Sequence, residues 1–144
     1  VGPTEWNSAK ALPRLVLPAD RNVSLTVHHY EPFRFTHQGA EWVSPRLPVG
    51  VDCCDGPQRA EALALLDQAA ADGRRRNYPV LVGEFGAYSK APLEARVRYL
   101  RFMRDAMEAR NLPWMAWELA SGFGIYDPVA GRMRPELYDA LFGA

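Results

Sequence analysis

Short apolar runs alternate with helix-patterned segments along this chain, and no other feature constrains its fold as strongly. Val23–Tyr30, Val80–Phe85 and Pro113–Trp117 read as strands, while Gln58–Arg74 and Pro92–Ala109 read as amphipathic helices and Pro135–Leu141 as a short terminal one. A further run, Val1–Thr4, opens the chain, and Pro13 and Pro18 limit Ala9–Leu17 to an irregular helical turn. Parallel neighbours need crossover connections and helices usually supply them, so this order predicts an α/β fold with a parallel sheet. Leu63, Leu66 and Ala70, then Leu93, Val97, Leu100, Met103 and Met107, mark the helix faces expected to pack on it.

Each apolar run ends in residues able to hold or transform a polar ligand. Val1–Thr4 leads into Glu5-Trp6-Asn7, Ser24–Val27 into His28-His29-Tyr30-Glu31, and Pro113–Ala116 into Trp117-Glu118. The central run Val-Leu-Val-Gly-Glu-Phe-Gly presents Glu84 between Gly83 and Gly86. A buried strand normally stops at a polar turn, so Glu84 reads as a carboxylate delivered by a rigid scaffold; the plainer reading is a helix N-cap or an ion-paired charge at the core edge. His28 and Tyr30 alternate and share one face, as active or as packing residues, whereas His29 points towards the helices.

Two parallel architectures compete, the doubly wound sheet and the (β/α) barrel. No glycine-rich phosphate loop follows the first strand, and polar residues at several strand ends suit a barrel mouth. A whole barrel takes about 250 residues and eight strands. This chain has 144 residues and four apolar runs, so the expected fold is a single half-barrel domain, four βα units of a (β/α)8 barrel. Half a barrel leaves strand edges and an inner face uncovered, which predicts closure by self-association into an even number of chains.

Composition narrows the partners. A net charge of zero and a pI near 7.0 remove the electrostatic case for nucleic acid or an anionic membrane. Arg74-Arg75-Arg76 reads as the solvated end of a helix. Cys53 and Cys54 are neighbours, so reduced loop thiols are expected, and a metal site would need more ligands than they offer. No signal-peptide pattern or apolar run of spanning length marks a compartment. The segment Glu31–Pro57, with Phe33, Phe35, Trp42, Pro45 and Pro48, is long for a connection, as binding loops and lids are.

The strand ends resemble glycoside hydrolase family 5, the retaining cellulase and β-glycanase family built on a (β/α)8 barrel. The matching blocks are His28–Phe33 with Phe35–Ala40, Gly83–Gly86, Trp114–Glu118 and Gly122–Asp127, in the order and spacing of the family's carboxyl-terminal half. The resemblance implies that Glu84 is the nucleophile at the seventh barrel strand, that His28 and Tyr30 are the sixth-strand pair lining the cleft and orienting it, and that Trp117 is the eighth-strand platform for a sugar ring. It implies hydrolysis of a β-1,4-glucan oligosaccharide or polysaccharide such as cellulose, with no metal and no cofactor.

One departure is as informative. The family's acid/base follows an asparagine on the fourth strand, and this chain matches from the fifth onward, without the first-half arginine and histidine. In a twofold pairing a partner's Glu118 would stand three strands from Glu84, as the acid would; otherwise Glu118 is a polar loop or substrate-edge residue. Glu5 lies on the wrong strand for that role. Trp6, Asn7, Phe35, His37 and Trp42 could border a cleft or serve packing and interfaces. The rival function is a non-catalytic glycan-binding or self-assembling module.

Overall fold

Three parallel strands, β1 (Leu25–His28), β2 (Val80–Phe85) and β3 (Trp114–Ala116), lie side by side in that order with β2 central. The computed structural model describes residues 1–143. Each parallel step is made by a helix, α1 (Gly56–Arg76) between β1 and β2 and α2 (Leu93–Glu108) between β2 and β3. A last helix, α3 (Pro135–Phe142), packs on α2.

The helices start and stop for local reasons. Asp55 accepts from the Gln58 backbone N–H at 2.8 Å while the Gln58 side chain accepts from the Asp55 N–H at 3.0 Å, a reciprocal cap that starts α1 ahead of the expected Gln58. Asn77 ends it in the left-handed conformation, with φ at 57°. Arg76 is pinned there: it pairs with Asp72 at 3.0 Å and donates to the Leu12 carbonyl at 3.1 Å.

One contiguous core joins these elements. Leu25, Val27, Val82 and Phe85 from the sheet meet Leu66 and Ala69 of α1, Tyr99 and Met103 of α2 and Leu137 of α3. The α2 face differs from the expected one: it runs through Ala95, Arg96, Tyr99, Leu100, Met103 and Met107, and Leu93 stands 46% exposed at the first turn. A large aromatic at Tyr99, packed on Phe35 with ring centroids 5.4 Å apart, sets that rotation.

The fourth strand expected at Val1–Thr4 does not form. Val1 accepts from the Thr26 N–H at 2.8 Å, and Ser8 bridges to His28, so the segment lies along the free edge of β1 and touches it at both ends. Between those points Pro3 has no N–H to give, and Glu5, Trp6 and Asn7 turn left-handed with φ of 59°, 53° and 60°. The segment Ala9–Arg14 then winds as a 3-10 helix.

Two stretches expected to be irregular hold more order. Glu31–Pro57 contains a helical turn at Phe33–Thr36 and is folded around buried Gln38, which donates to the Phe35 and Val51 carbonyls and accepts from the Gly50 and Val51 N–H groups. Leu119–Arg134 carries a small antiparallel hairpin, β4 (Tyr126–Asp127) with β5 (Arg132–Met133). Cys53 and Cys54 are joined by a disulfide, which corrects the expectation of reduced thiols. Their Cα atoms are 3.1 Å apart, and Arg98 and Arg59 hold the two carbonyls at 3.0 and 3.1 Å. Among the described residues, no helix is long and apolar enough to cross a membrane.

Candidate active site

Glu84 owes its aim to an irregularity in β2. Val80 and Val82 face the helices, so strict alternation would bury residue 84 with them. The register shifts at this point: Val27 pairs with Val82 but His28 pairs with Glu84, and Val82 pairs with Trp114 while Phe85 pairs with Ala116. The extra residue turns Glu84 to the open face and returns Phe85 to the core, the usual work of a bulge. Glycines make room for it. A side chain on Gly83 would lie 2.3 Å from Thr26 Oγ1, and one on Gly86 would lie 2.3 Å from the Trp117 carbonyl.

The backbone of both neighbours ties into this point. His29 N–H donates to the Glu84 carbonyl at 2.9 Å, and Trp117 N–H donates to the Phe85 carbonyl at 2.8 Å. Three strand ends are thereby fixed around one carboxylate.

The side chains converge in the same way. Tyr30 Oη donates to Glu84 Oε2 at 2.9 Å, and His28 Nδ1 lies 3.2 Å from the same oxygen. Burial first, and then the bond to Glu84, push the Tyr30 phenol far above its ordinary range, so it remains a donor. Among the described residues no donor reaches Oε1. One carboxylate oxygen is pinned and the other is left without a donor, with the Glu84 side chain 22% exposed.

His29 goes to the other side, fully buried with Nε2 at 3.0 Å from the Ala62 carbonyl. Trp117 follows β3, where Trp114 packs inward on Phe85 at 5.6 Å, so alternation places Met115 and Trp117 on the open face with Glu84. Trp117 is 46% exposed.

The other carboxylates near the strand ends are occupied. Glu5 pairs with Arg14, Glu31 pairs with Lys10 at 2.8 Å, and Glu118 accepts from the Ser121 and Phe123 N–H groups at 3.1 and 3.0 Å. Glu118 thus holds its own loop. Among the described residues, no three His, Cys, Asp or Glu side chains converge to hold a metal ion.

An aromatic wall borders the carboxylate. His37 stacks on Phe33 at 4.2 Å and meets the edges of Tyr30 at 4.9 Å and Phe123 at 5.5 Å, while Trp42 packs edgewise on Tyr88 at 4.9 Å. Burial lowers the His37 imidazole to about 4, so it stands neutral in the wall. Phe35 is core instead. Sequence reasoning included Phe123 only within the Gly122–Asp127 block, with no role, and missed Tyr88, in a glycine-containing loop with no periodic signal, and Arg96. This buried guanidinium donates to the Ala87 and Phe123 carbonyls, both at 3.0 Å, clasping the loops that follow β2 and β3.

A parallel α/β sheet that lifts a single carboxylate among imidazole, phenol and indole at its strand ends is the arrangement of a (β/α)-barrel mouth. The sequence model of Cellulase (glycosyl hydrolase family 5) matches residues 1–122, and the chain belongs to that family. Endoglucanase 3 of Fibrobacter succinogenes is 26% identical over 158 aligned positions, covering 88% of this chain and 24% of that protein. Cellodextrinase A of Ruminococcus flavefaciens is 27% identical over 74% of this chain and 32% of its own length. The crystal structure of Thermotoga maritima Cel5A with cellobiose superposes with a TM-score of 0.94 at 35% identity, covering 98% of this chain and 46% of that one. The cellulose synthase subunit Z of Clostridioides difficile gives a TM-score of 0.92 at 30% identity, covering 99% and 48%. The chain spans a third or less of these curated relatives and about half of the solved barrels.

Proposed function

We propose that this chain is the nucleophile-bearing half of a retaining β-1,4-glucan hydrolase, with residues 1–144 acting as one half-barrel domain. The observation that carries the reading is the pinned carboxylate: Tyr30 and His28 hold Glu84 Oε2, and Oε1 is left to react. Oε1 attacks the anomeric carbon while the glycosidic C–O bond breaks, and the departing oxygen takes its electron pair and a proton from an acid. Water then opens the glycosyl-enzyme with the same acid residue as base. Trp117 offers an indole face to the C–H face of a sugar ring.

Retention needs a second carboxyl group about 5–5.5 Å from the nucleophile. Because Glu5, Glu31 and Glu118 are engaged, and would be engaged alike in a second copy, we assign that group to a complementary half outside these residues. The unpaired outer edge of β3 and the exposed Trp6, Met115 and Trp117 favour self-association in even numbers. The endoglucanase and cellodextrinase relatives and the cellobiose complex support β-1,4-glucan as substrate.

The engaged carboxylates also favour a second reading, a glycan-binding module without turnover. A reducing-sugar assay on carboxymethyl-cellulose, beside calorimetric titration with cello-oligosaccharide and light scattering, separates the two. Hydrolysis that falls roughly 10^4-fold or more in Glu84→Gln, with the fold intact, is the expected result. Binding without product decides for the module, and hydrolysis that survives Glu84→Gln removes the proposed nucleophile.

A further inference from the structure

The left-handed turn at the start of the chain delivers a side chain to the site. Glu5, Trp6 and Asn7 hold positive φ in succession, each without glycine's freedom, which is a costly backbone for three non-glycine residues. Trp6 gains no packing from it, being 91% exposed, and Glu5 points to Arg14 on the surface. Asn7 is the residue that reaches inward, its Nδ2 standing 3.2 Å from His28 Nε2. The amide's other end lies beside Gly2, where an added Cβ would stand 2.0 Å from Asn7 Oδ1, so glycine there leaves the amide its room. With its oxygen over Gly2, the amide turns its nitrogen to the ring.

A neutral imidazole has one donor and one acceptor nitrogen, and an amide NH2 can only donate. Nε2 of His28 must then accept, which leaves the proton on Nδ1, the atom 3.2 Å from Glu84 Oε2. We infer that Asn7 is a positioning residue that fixes the Nδ1–H tautomer of His28 and so aims a hydrogen bond at Glu84. The chain of groups runs Asn7 to His28 to Glu84, with Tyr30 as the second donor on the same oxygen. Its bearing on attack rests on Glu84 being the nucleophile; the tautomer itself does not.

The adjacent His29 provides an internal control. Its Nε2 faces the Ala62 carbonyl, an acceptor, and its Nδ1 is buried without a partner, so His29 carries its proton on Nε2. Neighbouring histidines are thus held in opposite tautomers by opposite partners.

The test is long-range proton–nitrogen correlation of the imidazole rings in 15N-labelled protein at mildly alkaline pH. Native His28 is expected as Nδ1–H and His29 as Nε2–H. In Asn7→Leu the Nδ1–H excess of His28 should drop by roughly fivefold, the loss of one ordinary hydrogen bond. In Asn7→Asp, which exchanges a donor for an acceptor, Nε2 should gain the proton. An unchanged His29 pattern certifies the fold of each variant. Native His28 protonated on Nε2 alone overturns the inference whether or not the variants fold, and so does an unchanged His28 tautomer in folded Asn7→Leu. Neither readout needs turnover, so the inference can fail while the nucleophile assignment stands, and the reverse.

Discussion

The two faces of the sheet do different jobs. On the helix side Leu25, Val27, Val82 and Phe85 are fully buried against α1 and α2. On the other side Thr26, His28, Glu84, Met115 and Trp117 are half-buried or exposed, and no described helix covers them. Apolar burial is the main favourable contribution to folding, so the closed face carries the stability and the open face carries the candidate site residues. The difference teaches that site residues here can be altered with little effect on the scaffold, while one core side chain decides whether any site exists.

Phe85 is the sharpest probe of that contrast, being next to Glu84 but on the opposite face. Phe85→Ala should lower the unfolding free energy by roughly 3–5 kcal/mol in a urea titration, as truncation of a fully buried aromatic does. A loss below about 1 kcal/mol would mean that the closed face does not hold the fold. Next in size, Arg96→Met strands two buried carbonyls, at Ala87 and Phe123, and should cost about 3 kcal/mol. Burial first, with Arg134 nearby, lowers the Arg96 guanidinium to about 10, still charged at neutral pH, so a neutral replacement also removes a buried cation.

The aromatic wall extends the comparison to acid. His37 titrates at about 4 in the folded protein against an ordinary 6.5, so below 6.5 the unfolded chain binds the proton more readily and stability falls as pH drops, until both states are protonated below 4. Between pH 7 and 5 the loss should be about 2 kcal/mol, and His37→Gln should flatten that slope in urea midpoints measured across the range. The smallest effect belongs to the open face. Met115→Ser, at a position 52% exposed, should move monomer stability by no more than about 0.5 kcal/mol in a urea titration of dilute protein. A large stability change in dilute monomer would show that the open face is not open.

Regular elements were legible because their signals are local. The limits of β2 stand where the apolar run puts them, α2 is one residue shorter at each end than its pattern, and the turn of His29 towards the helices follows from alternation. Family membership was legible too, since several motif blocks occur in order. What escaped reading depends on contacts far apart in sequence or on backbone choices that composition does not encode. The bulge that exposes Glu84 needs the register of both neighbouring strands, and the left-handed turn at Asn7 carries no glycine to announce it. The Cys53–Cys54 segment is held by Arg59 on α1 and Arg98 on α2, contacts no local pattern signals, and the hairpin in Leu119–Arg134 is too short to show periodicity.

Gln38 gives the long loop an internal anchor. Its amide reaches Phe35 on one side and Gly50 and Val51 on the other, while the span from Glu41 to Val49 contributes nothing to that clasp. Because the conformation is dictated from beneath, the rim of the cleft can be rewritten at its outer residues, Trp42 among them, with the frame unmoved. Changes along that outer span therefore require no change to the residues below.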